Sequence, residues 1–219
     1  MPELTLRGGI GARVDAEIEV RRSRFLCRLV RVETEESARQ AIEQARREHW
    51  SARHHCSAFV LGASTLPGQV RRSNDDGEPS GTAGAPMLEA LTGRGLVDCV
   101  AVVSRYFGGV LLGTGGLARA YSDAVLAAAD EALAAKAVVA RERRELFSVA
   151  LAHSDAGRIE SELRQRGVAV LGTEYGGSAV LTMAGDPAGL ASILAGATSG
   201  AGVLRPLGHE WVDVEPAGL

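Results

Sequence analysis

The chain has 219 residues, of which 46% are hydrophobic and 23% charged, a balance typical of a globular protein rather than a disordered or fibrous one. Its length suggests one large domain or two smaller ones. There is no 18-residue uncharged apolar run and no apolar segment after a basic start, so we expect no membrane span and no signal peptide. Three scattered cysteines without CxxC spacing are typical of reduced, buried thiols in a cytoplasmic protein.

Charge is unevenly spread along the chain. The first 144 residues carry 20 cationic and 18 anionic side chains, whereas the remainder carries 4 and 9. An acidic C-terminal part is a poor binder of phosphate backbones. We therefore expect any nucleic-acid role to reside in the N-terminal part.

Two alternating segments predict a β-hairpin near the start of the chain. Apolar and polar side chains alternate over 12–20 and again over 23–30. With Arg21–Arg22 as a two-residue turn, Ile18 faces Phe25 and the acidic residues of the first strand face arginines of the second. The arginines could form an anion- or RNA-binding stripe, but this register favours cross-strand neutralisation. A helix is expected to follow, capped by Thr34.

Two histidines precede a cysteine at the start of a central-type strand. In a strand His54 and Cys56 share a face, while His55 points to the other. A histidine beside a cysteine suggests a nucleophile or a zinc ligand, but a metal site needs three or four convergent ligands and the other histidines are distant in sequence. We favour a structural or surface role, keep His54 and His55 as candidate binding residues, and expect no metal centre.

An Asn-, Asp-, Gly- and Pro-rich segment covers 71–86 and predicts an ordered turn region rather than a helix or strand. Ser80 or Thr82 is expected to cap the helix that follows, which ends near Gly93. The carboxylates could hold a divalent cation, but EF-hand spacing is missing and we favour a solvated loop. The candidate binding residues here are Asp75, Asp76, Glu78, Ser80 and Thr82.

Between Val102 and Tyr121 an apolar strand runs into a glycine-rich turn and then into an alanine-rich helix. The glycines have P-loop spacing, but Thr114 stands where the lysine must be, and a match to the dinucleotide fingerprint lies well past the strand end. What remains is a generic anion site of backbone N–H groups at a helix start. The candidate binding residues are Arg105, Tyr106, Gly108, Gly109, Gly113, Gly115, Gly116, Arg119 and Tyr121.

After Lys136 the pattern predicts a second unit with the order β-α-β-β-α-β, which is typical of a ferredoxin-like domain. The charged run Arg141–Arg144 is expected to be a solvated crossing into it. Gly176–Gly177 predicts a hairpin, and Asp186–Pro187 predicts the start of a helix. We therefore predict domains at 1–140 and 141–219.

Four motifs, in this order and spacing, resemble the IMPACT/YigZ family. They are Ser23–Phe25, Ala52–Cys56, Asp75–Pro86 and Arg105–Tyr121. The last two are long and specific. Ser57 departs from the aromatic residue expected at that position, which argues against stacking there.

The resemblance implies an α+β protein. Its N-terminal α/β domain would be like a small-subunit ribosomal protein and domain IV of elongation factor G, a β-sheet with helices on one face. The ferredoxin-like C-terminal domain would resemble domain V of that factor. GHMP kinases share the first fold and bind ATP at a glycine-rich helix start, which keeps phosphate binding open by analogy. Eukaryotic IMPACT proteins act in translational control by binding the activator of a stress kinase.

Two classes of function follow. We favour a cytoplasmic, non-enzymatic regulator or accessory factor linked to translation, which binds RNA, the ribosome or a translation-associated protein around Arg105, Tyr106 and Arg119. The alternative is an enzyme that binds a phosphorylated small molecule or nucleotide at the glycine turn, with a divalent metal at the carboxylates of the 71–86 segment.

No nucleophile–base pair is identifiable in the sequence, which favours a binding protein over an enzyme. We therefore assign no catalytic residue and no cofactor, and the oligomeric state is left open. Contact between the segments Asp75–Pro86 and Arg105–Tyr121 would join them into one composite site.

Overall fold

The computed structural model describes residues 3–64 and 68–216. Within these residues the chain forms two five-stranded sheets and five helices, which confirms the α+β class. The described residues fall into two compact units: one runs to Ala140 and takes in Glu215, and the other spans Arg141–Val214. The outer limits of the two predicted domains, residues 1 and 219, lie outside the described residues.

The first unit contains a sheet with the strand order β2-β3-β6-β4-β5, in which all neighbours are antiparallel. Its strands and helices are β1 (Leu4–Leu6), β2 (Arg13–Val20), β3 (Ser23–Arg31), α1 (Glu35–Glu48), β4 (His54–Leu61), β5 (Val70–Asn74), α2 (Gly84–Gly93), β6 (Cys99–Tyr106) and α3 (Gly113–Ala134).

The predicted hairpin register is confirmed. Ile18 pairs with Phe25 across β2 and β3. Arg21 and Arg22 have φ of 47° and 67°, as a two-residue type I′ turn requires. Arginines of β3 bond carboxylates of β2, with Arg24 Nε 2.5 Å from Glu17 Oε1 and Arg28 Nε 2.7 Å from Asp15 Oδ1. Cross-strand neutralisation therefore accounts for these two arginines.

The helices lie on both faces of this sheet, which corrects the expectation of helices on one face. α1 packs on the face that carries Val100 and Val102. α3 packs on the opposite face, where Tyr121 contacts Phe25 edge to face, and α2 lies beside α3. The central strands β4 and β6 are buried along almost their whole length because both of their faces are covered.

α1 begins as predicted. The Thr34 hydroxyl accepts the Ser37 backbone N–H at 3.1 Å, and the Ser37 hydroxyl accepts the Thr34 N–H at 3.2 Å, which completes a capping box. Acidic residues lie in the first turn and basic residues in the last, as the helix dipole favours.

We expect Thr34→Ala to lower the free energy of unfolding by about 1 kcal/mol, because the Ser37 backbone N–H at the start of α1 loses its acceptor. Urea unfolding followed by circular dichroism measures the change. Thr114→Ala is the control, since the exposed Thr114 side chain makes no hydrogen bond to any described residue. Equal losses in the two variants would contradict the role of the cap.

The segment 71–86 differs from the prediction at both ends. Residues 70–74 form β5, an edge strand, because the backbone of this segment pairs with the backbone hydrogen-bonding groups of β4. Neither Ser80 nor Thr82 caps α2. The Asp75 carboxylate does so instead, accepting the N–H groups of Ala83 and Gly84 at 3.0 and 2.8 Å.

One strand continues from the first unit into the second. β7 (Val138–Leu151) pairs with β1 through its first three residues and with β9 through its last six. Arg141–Arg144 lies inside this strand at the boundary between the two units, and Glu142 and Arg143 are exposed, so the predicted charged crossing is solvated at its centre but is a strand rather than a loop. Arg141 Nη1 bonds the Trp211 carbonyl and an Asp213 oxygen, both at 3.1 Å, so that part of the charged run is paired within a sheet.

The second unit has the strand order β10-β7-β9-β8. The Gly176–Gly177 hairpin and the Asp186 cap of the last helix are confirmed, with Asp186 accepting the Gly189 N–H at 2.8 Å. Its further elements are α4 (His153–Gln165), β8 (Ala169–Tyr175), β9 (Ala179–Ala184), α5 (Pro187–Ala197) and β10 (Arg205–Val214).

Candidate binding site at the end of the central strand

The turn region before α2 and the glycine stretch after β6 meet at Glu78. One Glu78 oxygen accepts Arg105 Nη1 at 2.5 Å and the Tyr121 hydroxyl at 2.7 Å. His54 Nε2 lies 3.9 Å from the same oxygen. The structure thus brings residues of both predicted segments together, and the carboxylate that joins them is buried.

Arg105 and Tyr121 are interior residues, which corrects their expected place on a partner-facing surface. Arg105 is 6% exposed, and its guanidinium lies over the rings of Phe25 and Phe107 at 5.5 and 5.7 Å. Burial raises the pKa of Tyr121 far above its ordinary value, and the neighbouring Cys56 and Glu78 add to the shift. Tyr121 is therefore a neutral donor to Glu78, and this network supports the turn rather than touching a ligand.

The other two carboxylates of the predicted cation site are also engaged. Asp75 accepts the N–H of Gly81 at 2.8 Å in addition to the two at the start of α2. Burial alone would raise the pKa of Asp75, but these backbone donors outweigh it and lower the pKa. Asp76 bonds Arg46 and the His55 N–H, both at 2.6 Å.

Within residues 3–64 and 68–216, no group of three or more His, Cys, Asp or Glu side chains is arranged to hold a metal ion. The acidic cluster serves instead to fold the loop and to cap α2. The three carboxylates of the predicted cation site, Asp75, Asp76 and Glu78, thus each accept hydrogen bonds from the described residues.

The two histidines lie on opposite faces of β4, as the alternation predicts. His54 Nδ1 is 2.8 Å from the Asp76 carbonyl, and His55 Nδ1 is 3.0 Å from the Ser104 hydroxyl. Cys56 donates its thiol to the Asp75 carbonyl at 3.0 Å, and burial raises its pKa to about 12. All three cysteines are reduced and buried, as expected.

Stability should depend on pH through His55. Burial, and then the positive charge of Arg46, lower its pKa, with Asp76 offsetting part of the shift. As the pH falls, His55 takes up a proton near pH 6.5 in the unfolded chain but only at lower pH in the folded protein. The free energy of unfolding should therefore fall below about pH 6.5 and level off below the pKa of His55 in the folded protein.

Urea unfolding between about pH 5 and 7.5 tests this dependence. His55→Asn should remove it, whereas His209→Asn, at an exposed position of β10, should leave it in place. A slope that survives in His55→Asn would assign the dependence to another group.

The glycine turn, residues 107–116, has a buried base and an exposed tip. The Gly108 N–H donates to the Ser23 hydroxyl at 3.1 Å, and a Cβ on Gly108 would lie 2.0 Å from the Arg22 carbonyl. Gly109 and Gly113 have φ of 86° and 74°, which glycine adopts without strain. Three apolar side chains are exposed at the tip: Phe107, Val110 and Leu111, the last by 81%.

The remaining candidates are spread around this turn. Gly115 and Gly116 lie in the first turn of α3, which has no side-chain cap. Ser80 is exposed, whereas the Thr82 hydroxyl donates to the Pro79 carbonyl at 2.6 Å. The Tyr106 hydroxyl lies 3.2 Å from His49 Nδ1.

Four exposed arginines surround the same strand end, and we call Arg21, Arg22, Arg53 and Arg119 the arginine end. The Arg22 backbone touches Gly108, the Arg53 N–H donates to the Arg105 carbonyl at 3.0 Å, and Arg119 lies in the helix that leaves the turn. Among the described residues, Arg21, Arg22 and Arg53 have no carboxylate within ion-pair distance, and Arg119 Nε is 3.8 Å from Asp123. The guanidinium groups are therefore available to an anionic partner.

A pocket of about 310 Å³ lies on the face of the sheet that carries α1, and we call it the α1-face pocket. Sequence reasoning missed it. Alternation predicted that the acidic residues of β2 face arginines of β3, but no signal connected them with the histidine that follows α1 and a serine of β6. The side chains that line it are Asp15, Glu17, Leu26, Arg28, Ala45, His49, Val102 and Ser104.

Two family models match the chain. The Impact N-terminal domain matches residues 21–129, and a domain of unknown function, DUF1949, matches residues 149–195. IMPACT family member YvyE of Bacillus subtilis (strain 168) is 46% identical over 149 residues, which cover 68% of this chain and 65% of that protein. The chain belongs to the IMPACT family.

A further IMPACT relative and one solved structure are also similar to this chain. IMPACT family member YigZ of Escherichia coli (strain K12) is 50% identical over 107 residues, 49% of this chain and 52% of that protein. The chain therefore spans less than two thirds of either relative. A crystal structure of a hypothetical protein is 34% identical with a TM-score of 0.56, and the match covers 93% of this chain and 97% of that one.

The family motifs meet at one end of the first sheet. Ser23 accepts the N–H of Gly108, Arg53 bonds Arg105, and Glu78 joins the two longest motifs. The motifs that mark this IMPACT chain in sequence thus form one contiguous structure around the end of β6. None of the described helices is long and apolar enough to cross a membrane.

Proposed function

We propose that this protein is a non-enzymatic accessory factor linked to translation, and that its first unit binds single-stranded RNA at the arginine end. One observation carries the proposal: four exposed arginines, three of them without a carboxylate partner among the described residues, surround a turn that presents the half-exposed ring of Phe107. Guanidinium groups neutralise phosphates, and an exposed aromatic ring offers a face on which a base can stack. RNA fits this combination better than a protein partner does.

Family membership supports the link to translation. The resemblance to eukaryotic IMPACT proteins implies a role in translational control, and we extend it to this chain. We also propose that the second unit is ferredoxin-like, which its β10-β7-β9-β8 order with two helices supports. The analogy to domains IV and V of elongation factor G, and a cytoplasmic location, belong to the same proposal.

The enzyme alternative has no comparable support. It needs a divalent cation beside the glycine turn, yet Asp75, Asp76 and Glu78 already accept backbone N–H groups, arginines or a tyrosine hydroxyl. Reassigning these carboxylates to a metal would uncap α2 and leave the buried Arg105 unpaired.

The test removes charge without disturbing the turn. Asn-Gly is the preferred type I′ pair, so the double variant Arg21→Asn/Arg22→Gly should fold at least as well as the parent. Binding to a short, fluorescein-labelled single-stranded RNA of mixed sequence is followed by anisotropy between about 50 and 200 mM salt. We expect weaker binding and a log–log salt slope reduced by about one to two.

Arg71→Gln/Arg72→Gln is the matched control, because it removes the same charge from the exposed edge strand β5. It should leave affinity within about twofold at the higher salt concentration. If both double variants weaken RNA binding equally, the effect comes from overall charge and not from the arginine end. No binding at low salt by the parent protein would overturn the RNA proposal and leave a protein partner.

A further inference from the structure

The α1-face pocket exists because α1 does not reach β2. α1 packs on β3, β4 and β6, whereas β2 is covered from the other face by α3. The outer strand and the last turn of α1 therefore leave a gap of about 310 Å³ between them. This is at the small end of ligand-binding pockets, which suits a single ring system.

The floor of the pocket is apolar and its walls carry acceptors. Leu26 and Val102 rise from the sheet, and Ala45 closes the side of α1. The carboxylates of Asp15 and Glu17 line one wall and are half exposed. A flat apolar floor beside carboxylates suits a planar ligand that carries a hydrogen-bond donor.

Most donors of the pocket are already in use. Arg28 Nε donates to Asp15 at 2.7 Å, whereas the buried Arg28 Nη1 lies 2.8 Å from Glu48 without a hydrogen bond to the described residues. The Ser104 hydroxyl is 3.0 Å from His55 Nδ1. An incoming ligand therefore meets one donor without a hydrogen bond, Arg28 Nη1, beside spare acceptor positions, since each carboxylate oxygen can accept more than one bond.

Charge argues against a cationic ligand. Glu17 is balanced by Arg24, whose Nε and Nη2 lie 2.5 and 3.0 Å from its two oxygens, and Asp15 is balanced by Arg28. The Arg24–Glu17 pair is exposed, and exposed pairs are weak enough for a ligand to share the carboxylate. A neutral donor such as an aromatic amino group fits better than an ammonium ion.

The pocket adjoins the end of β6. Tyr106, the last residue of β6, lies under the Arg24 guanidinium at 5.5 Å, and its hydroxyl reaches His49 in the pocket wall. The β2–β3 turn that carries two arginines of the arginine end is formed by the same hairpin that supplies Glu17. Glu17 precedes Arg21 by four residues on that hairpin, so RNA bound by those arginines would lie beside the strand that lines the pocket.

We propose that the α1-face pocket binds one unpaired nucleobase that carries an exocyclic amino group, with Glu17 accepting that amino group. Cytosine is the reference ligand, because carboxylates accept hydrogen bonds from its N4 amino group while uracil presents an oxygen at that position. The proposal rests on the proposed RNA function for delivery of the base. A free nucleoside has the same chemistry and provides an independent source.

The first experiment uses free nucleosides and needs no RNA binding. Millimolar cytidine should raise the melting temperature of the parent protein, whereas uridine should not. Glu17→Ala should remove the effect of cytidine, because it removes the acceptor. Glu19→Ala is the control, since Glu19 lies two residues along the same strand face and does not line the pocket. Equal responses to the two nucleosides would overturn base recognition for the free ligand.

The second experiment compares labelled oligocytidylate and oligouridylate of equal length. We expect about tenfold tighter binding of oligocytidylate, and a preference below about threefold in Glu17→Ala and in the pocket-filling variant Leu26→Phe. RNA binding with equal affinity for both oligomers would overturn this inference and leave the proposed function intact. If cytidine raises the melting temperature but the protein binds no RNA, the pocket would bind a free nucleoside. That result would overturn the idea that RNA held at the arginine end supplies the base.

Discussion

Replacing Gly108 with alanine should lower the free energy of unfolding by more than about 3 kcal/mol. The added Cβ would lie 2.0 Å from both the carbonyl carbon and the oxygen of Arg22, and 2.5 Å from the Ser23 nitrogen. These are backbone atoms of the β2–β3 hairpin turn. Relieving the clash therefore requires this turn and the glycine turn to move apart. The Gly108–Ser23 hydrogen bond would then be lost as well. Urea unfolding at neutral pH measures the change.

Gly115→Ala is the matched control. It lies in the same glycine-rich stretch, but no atom falls within 4 Å of its added Cβ, and it is part of α3. Alanine favours helix over glycine by about 1 kcal/mol, so this variant should be unchanged or slightly more stable. If both variants lose similar stability, both glycines would be needed for their backbone conformation, and the close approach of Gly108 to Arg22 would not explain the loss.

The second large effect concerns the buried ion pair. Glu78→Ala should cost about 3–5 kcal/mol, because it leaves the Arg105 guanidinium buried without its carboxylate. Arg105 Nε already makes no hydrogen bond to the described residues, so little else compensates its charge. Thermal and urea unfolding would report the loss.

A double-mutant cycle separates charge from packing. Adding Arg105→Met to Glu78→Ala should recover a large part of the loss, since no buried charge then remains. Tyr121→Phe alone should cost about 1 kcal/mol, because it removes one hydrogen bond and keeps the ring contact with Phe25. If the double variant is as unstable as the sum of the single ones, the pair is not coupled.

Local features of the fold were predictable from the sequence. The hairpin register follows from strict alternation on either side of Arg21–Arg22, because a one-residue slip would turn every apolar side chain outward. The Thr34 and Asp186 caps were predictable because each depends on residues within one helical turn. The buried thiols follow from apolar neighbours in the same strand.

Non-local features were not predictable. Glu78 and Arg105 meet because β6 lies between β3 and β4, and no periodicity in the chain encodes that order. The acidic cluster predicted a solvated loop because its hydrogen-bond donors could not be read from the sequence. Arg46 is remote along the chain, and the α2 donors are backbone N–H groups, which no residue type marks. The α1-face pocket depends on how far α1 extends across the sheet. For the same reason Arg105 looked exposed in sequence and is interior in the fold.

The pairing of β1 has a consequence for the order of events during synthesis. Leu4 pairs with Ala140, so at about 5–20 residues per second roughly 7–27 s of elongation separate the two partners. Until Val138–Ala140 leaves the ribosome, the buried side chains of Leu4 and Leu6 have no permanent neighbour on that side. Leu4 can bond the backbone of Gly95 and Val97 earlier, so its pairing with β7 is the contact that completes the burial of β1 late in synthesis.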